Sequence, residues 1–278
     1  MTVKKLVAAI ALITFAPLSL AAIIASDDFD YATGEVAGQN GGSGWASAWS
    51  ASTGVTQVVT PGTTLSGGNA LQLTGNNNNA AYRQLSSAFT GNNLFVDFYI
   101  QLDAGVLAAN DFMGLWLDVG STGDHTSRPN IGIKADGSGL NDVFVRTSGT
   151  GGVFASNSNI GTTTDITYHI VGLLSRATDT GNYTSFSMWL NPELGDLLTP
   201  DAIMTGSTGV SQVSYVGLRS ANLDSGDVLL IDGLQLSTTW NDALRISASG
   251  TNDVPEPGTA ALIGLGLLGL GFAKRRKA

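Results

Sequence analysis

Residues 95–102 read Phe-Val-Asp-Phe-Tyr-Ile-Gln-Leu, and their alternation decides the fold. Val96, Phe98, Ile100 and Leu102 fall on one parity, and Phe95, Asp97, Tyr99 and Gln101 on the other. That is the period of two of a half-buried strand. Similar runs occupy 70–74, 82–87, 111–119, 130–135, 142–147, 166–175, 183–190, 213–220 and 228–237. Between them stand turn signals such as Asn76-Asn77-Asn78-Asn79, Asp136-Gly137-Ser138-Gly139 and Gly149-Thr150-Gly151-Gly152. Roughly a dozen short strands, with no long helical period and no repeat of 20–50 residues, predict an all-β sandwich or barrel. The asparagine run is expected at a loop tip.

The two ends of the chain differ from this body. Lys4 and Lys5 precede the apolar run 6–16, Pro17 breaks it, and Ser19-Leu20-Ala21 supplies small residues. This reads as a secretory signal peptide over 1–21, cleaved after Ala21 by signal peptidase. At the other end, Val254-Pro255-Glu256-Pro257 leads into an uncharged stretch, 259–273, and then Lys274-Arg275-Arg276-Lys277. A 15-residue helix spans about 22 Å. That is short against a hydrocarbon core of about 30 Å, so it predicts a single short transmembrane helix that inserts with local thinning. The basic tail keeps its end cytoplasmic. The expected organisation is a signal peptide 1–21, a β-sandwich domain 22–247, a linker 248–254 and a C-terminal cassette 255–278.

Motif, apolar helix and basic tail, in that order at the C-terminus, resemble the PEP-CTERM sorting signal of Gram-negative bacteria. The resemblance implies processing by an exosortase, a transient membrane anchor, and release to the cell surface or extracellular matrix of an organism that makes exopolysaccharide. The body carries a second, more diffuse resemblance. It rests on Asp28-Phe29-Asp30-Tyr31, Gly41-Gly42-Ser43-Gly44-Trp45, Ala81-Tyr82-Arg83, Leu190-Asn191-Pro192, and Ile231-Asp232-Gly233-Leu234-Gln235-Leu236 followed by Thr239-Trp240. It looks like a concanavalin-type jelly roll, related to laminin G and lectin or glucanase sandwiches. That implies first and last strands side by side, with Asp28 and Asp30 near Asp232.

Composition narrows the chemistry. There is no cysteine, so no disulfide staples the exported domain. Between the two signals, seven basic residues stand against 21 of the 22 acidic ones, a charge close to −14. Such a surface repels nucleic acid and suits divalent cations or neutral glycans. Only three glutamates occur, Glu35, Glu193 and Glu256, none with a second nearby. The carboxylate pair of a glycosidase is therefore not in view. The two histidines, His125 and His169, are backed by no Gly-x-Ser-x-Gly elbow and no cysteine, which argues against a hydrolytic triad or a zinc site.

Calcium is the more plausible ion. Asp28 and Asp30 with Asp232, joined by Asp27, form one candidate set, and the loop from Asp118 to Asp124 another. Trp45 and Trp49 offer a sugar-stacking platform or an edge of the core. Arg83 stacks under a glycan or pairs with an acidic residue across the sheet. The expectation is a non-enzymatic, exported surface or matrix protein in contact with exopolysaccharide. The alternatives are a carbohydrate-active enzyme with an Asp-based site and a purely structural or adhesive coat protein.

Overall fold

The computed structural model describes residues 22–246 except 55, 64 and 122–126, with the backbone alone of 77–79. The expected signal peptide, linker, sorting motif, helix and basic tail lie outside the described residues. Among the described residues no helix is long and apolar enough to cross a membrane.

Two antiparallel sheets make a jelly-roll β-sandwich. In chain order the strands are β1 (Ile23–Asp27), β2 (Gly34–Glu35), β3 (Ser50–Ala51), β4 (Thr56–Val59), β5 (Ala70–Leu73), β6 (Asn77–Phe89), β7 (Asn93–Ala104) and β8 (Phe112–Asp118). There follow β9 (Asn130–Lys134), β10 (Val143–Arg146), β11 (Val153–Phe154), β12 (Tyr168–Ser175), β13 (Ser185–Leu190), β14 (Ala202–Thr205), β15 (Val213–Ala221) and β16 (Val228–Ser237). One short helix, α1 (Trp240–Ala243), closes the domain, its first turn capped by the Thr239 side chain accepting from the Asp242 amide. The nine-stranded sheet runs β14-β13-β12-β7-β16-β5-β4-β2, with β1 also on β16. The seven-stranded sheet runs β11-β10-β9-β8-β15-β6-β3.

The alternation at 95–102 resolves as the pattern requires. Val96, Phe98, Ile100 and Leu102 are fully buried between the sheets. Asp97, Tyr99 and Gln101 point to the outer face of the nine-stranded sheet. Phe95 joins them and packs with Val171, Trp189 and Trp240 beneath α1. First and last strands do lie together, with Asp27 opposite Leu234 in the β1–β16 pair. The asparagine run is not a loop tip. Residues 77–79 continue β6, with Asn77 opposite Ser220 of β15. Ladder pairing from a distant strand overrides the local turn preference.

Candidate functional site

Trp45, Trp49 and Arg83 come together where the two sheets meet. Trp49 is 2 % exposed and Arg83 1 %, so neither presents a face to a ligand. The Arg83 guanidinium donates to Asp27 Oδ2 (2.6 Å), to the carbonyls of Gly41 (2.9 Å) and Ser47 (2.6 Å), and to Asn40 Oδ1 (2.7 Å). It lies 5.0 Å from the Trp45 ring centre and 5.7 Å from that of Trp49. Asp27 Oδ2 also accepts from Trp49 Nε1 and from the Tyr31 hydroxyl. Burial, together with that bond to the Asp27 carboxylate, pushes the Tyr31 hydroxyl well above the usual phenol range. The chain folds back here because Gly44 takes φ +80°, where a Cβ would stand 2.0 Å from the Ile24 carbonyl. The glycan role expected of Trp49 and Arg83 is therefore corrected, since the desolvated cation needs its buried carboxylate, while Trp45 stays half-buried beside the pair.

The acidic residues named as candidate calcium ligands each have other partners in the fold. Asp27 belongs to Arg83. Asp30 is exposed and caps the Asn69 amide at 2.8 Å. Asp232 is buried and accepts from the amides of Ser66, Gly67 and Gly233, and burial is the main cause of its raised pKa. Asp28 lies close enough to raise it further, and itself stands 3.9 Å from Arg245. Among the described residues no three His, Cys, Asp or Glu side chains converge as metal ligands do. The part of the second acidic loop from 122 to 124, and His125, lie outside the described residues. Asp118, at its start, pairs with Arg128 at 2.8 Å.

On the outer face of the nine-stranded sheet, Arg245 takes the place expected of a cation. Its Nε donates to the buried Asp97 at 2.8 Å, its guanidinium also reaches the Gly233 carbonyl, and it lies 5.1 Å over the Tyr99 ring. His169 Nε2 stands 3.3 Å from the same Asp97 and its ring stacks on Tyr99 at 4.6 Å. Burial raises the Asp97 carboxyl, an effect that His169 and Arg245 oppose.

The arrangement best suited to a ligand lies on the outer face of the other sheet, and strand register builds it. One row across the strands reads Phe154, Phe144, Gly132, Gly114, Arg219. The next reads Arg146, Asn130, Trp116, Gly217, Tyr82. Glycines in the middle of both rows make room for rings lying flat on the sheet. A Cβ on Gly217 would come within 2.0 Å of the Trp116 indole, and one on Gly114 within 2.6 Å of the Phe112 ring. Phe112 and Phe144 meet at 5.3 Å, and Phe144 reaches Phe154 at 6.1 Å. Arg146 lies 5.3 Å from both Phe112 and Phe144, and Arg219 lies 5.1 Å over Phe112. At the Phe112 ring opens a cleft of about 330 Å³ whose lining includes Lys134, Arg146 and Arg219. A second cleft of about 380 Å³ adjoins it through Asn110 and Lys134 and is flanked by Phe154 and Asp136. Sizes of this order suit a small ligand or a few units of a polymer.

Sequence reasoning passed over this face. The signal was present: 112–117 and 143–145 are apolar or small on both parities, unlike a strand whose second face meets only water.

Residues 253–277 match the PEP-CTERM protein-sorting motif. The chain thus carries the signal of an exported, exosortase-sorted protein with a C-terminal membrane anchor. No curated protein matches it. Among solved structures it is similar to the alginate lyase Aly36B (14 % identity, TM-score 0.46, 77 % of this chain and 97 % of that one). It is also similar to the carbohydrate recognition domain of Emp46p (11 %, 0.43, 68 % and 87 %) and to an alginate lyase from Aplysia kurodai (8 %, 0.43, 66 % and 87 %).

Proposed function

We propose that this is a non-enzymatic surface or matrix protein that holds exopolysaccharide along the outer face of its seven-stranded sheet. The observation that carries the reading is the pair of adjoining clefts on this face, one lined by Phe112 and the other by the half-buried Phe154, each rimmed by hydrogen-bonding side chains. Flat apolar rings fit the C–H face of a pyranose, and polar groups at the rim fix its hydroxyls. Of the residues that line the two clefts, Asp136 alone bears a carboxylate. It is exposed and turned to its own loop, where Ser138 and Gly139 hold its carboxyl below the usual range. That supports binding over glycosidase chemistry, which takes two carboxylates across one bond.

The export signal supports a site of action beyond the inner membrane, after exosortase has processed the Pro-Glu-Pro segment. The test is affinity electrophoresis of the exported protein in gels cast with the producing organism's own polysaccharide. Retardation that Phe154→Ala weakens supports the reading. No retardation by any polysaccharide sinks it in favour of a coat protein. Release of reducing ends or of unsaturated sugar makes the domain an enzyme.

A further inference from the structure

Large apolar side chains exposed one at a time need no explanation, but a group of them does. Of the eleven exposed among the described residues, four fall within positions 194–203. Leu194, Leu197 and Leu198 sit on a 3-10 turn, Leu194–Leu198, and are 59 %, 38 % and 89 % exposed. Leu194 and Leu197 stand one turn apart and eclipse one another, and Leu198 follows at the exit. Ile203, 47 % exposed, comes next on β14. It ends the outer row of the nine-stranded sheet that runs Phe95, Leu173, Ser187, Ile203. The turn is pinned with its leucines outward. The Trp240 indole donates to the Leu194 carbonyl (3.0 Å), that of Trp189 to the Asp196 carbonyl (2.7 Å), and the two rings meet at 4.9 Å.

The same corner is where the chain sets off towards its anchor. Helix α1, which carries Trp240, ends at Ala243, and the compact unit ends at Arg245. Thr259, the start of the uncharged stretch, is fourteen residues further on. Fourteen residues reach at most about 50 Å. We propose that the leucine turn, with Ile203, docks on a zwitterionic membrane surface while the chain is anchored. The inference goes beyond polysaccharide binding and rests on the C-terminal anchor alone. Exposed leucines on a rigid turn enter the boundary between headgroups and acyl chains. Glu193 and Asp201 are exposed beside them, and they repel anionic headgroups. The apolar area of a few partly inserted side chains supports a dissociation constant of about millimolar order. That is too weak to hold a free protein on a bilayer, but a short tether supplies an effective concentration of about the same order. The contact therefore holds while the anchor does and lapses once the sorting motif is cut. Docking at this corner of the nine-stranded sheet leaves the clefts of the other sheet open to polysaccharide.

The test uses the full-length chain reconstituted in phosphatidylcholine vesicles that carry a nitroxide-labelled lipid as quencher. The chain has no cysteine, so Leu198→Cys takes a single fluorophore. Thr150→Cys, exposed between β10 and β11 of the other sheet, gives the reference. The expected result is severalfold quenching at the first position and none at the second. Leu194→Ser with Leu197→Ser should abolish the quenching while the melting midpoint holds, since both side chains are exposed; Leu194→Ser alone serves if the double variant unfolds. Phosphatidylglycerol added to the vesicles should lessen the quenching, and an increase would overturn the zwitterionic choice. Equal quenching at both positions, or quenching that the serine variants leave unchanged, overturns the proposal. Quenching that grows with protein density and needs no labelled lipid assigns the corner to a second copy of the chain and likewise overturns it.

Discussion

Arg83 Nη1 lies 2.6 Å from Asp27 Oδ2, 56 positions away in the chain, and both side chains are 1 % exposed. Asp27 ends β1 of the nine-stranded sheet and Arg83 sits in β6 of the other, so the pair ties one sheet to its partner. Removing one member leaves the other charged and desolvated. Arg83→Met is expected to cost about 3–5 kcal/mol in urea unfolding, and pairing it with Asp27→Asn should recover part of that loss. A loss below about 1 kcal/mol would show that the pair is dispensable.

Arg245 is the last residue of the compact unit, and its contacts hold the final turn onto the outer face of the nine-stranded sheet. Arg245→Met leaves the buried Asp97 with His169 and Gln235 alone. The expected loss is about 2 kcal/mol, a fall of roughly 4–8 °C in melting midpoint. Arg245→Lys should not rescue it, because an ammonium cannot supply the planar fork that meets Asp97 and Gly233 while lying over Tyr99.

Gly217 is required by the indole lying across it. Gly217→Ala places a methyl 2.0 Å from Trp116 and is expected to cost about 1–3 kcal/mol. Displacement of the ring should also change the near-ultraviolet circular dichroism and weaken polysaccharide binding. An alanine variant with wild-type spectrum and stability would contradict the close packing described for this face.

Asp111 is buried, and burial first, then the nearby Asp227 and Asp224, holds its carboxyl above the usual range. A raised acid favours the neutral form in the folded state. Its stabilising contribution is complete below the unfolded pKa of about 3.9 and is lost as pH rises through the folded value. Asp111→Asn should therefore raise the melting midpoint at pH 7–8, by roughly 2–4 °C for about 1 kcal/mol. The advantage should vanish near pH 4. An advantage independent of pH would point to a cause other than the carboxylate.

Calcium is expected to leave the melting midpoint where EDTA leaves it, because Asp27 serves Arg83 and Asp232 serves three backbone amides. A calcium-dependent rise that Asp232→Asn abolishes would restore the ion to this corner of the fold.

The all-β class and most strand positions were legible because each rests on local pattern, whereas the paired chain ends were expected only from the jelly-roll resemblance. Alternation fixes which side chains face inward, and turn residues mark where a strand stops. The expected run 228–237 coincides with β16, and 95–102 lies inside β7. The asparagines at 77–79 were misread because their extended state comes from β15, more than a hundred residues away in the chain.

By itself, the sequence determined the address and the architecture. The C-terminal motif and tail are contiguous in the chain, and period-two strands can bury one face only by stacking two sheets. Only the tertiary structure decided which side chains are buried inside the fold and which line a cleft. Trp49 and Arg83 carried features expected of a sugar site, yet both are buried against Asp27, while the half-buried Trp45 donates to the Ser26 carbonyl beside them. Phe144, Gly132, Gly114 and Arg219 are scattered through the chain and become one row only through strand register. Register is set by how whole strands bury their apolar faces, a property no single stretch of this sequence contains.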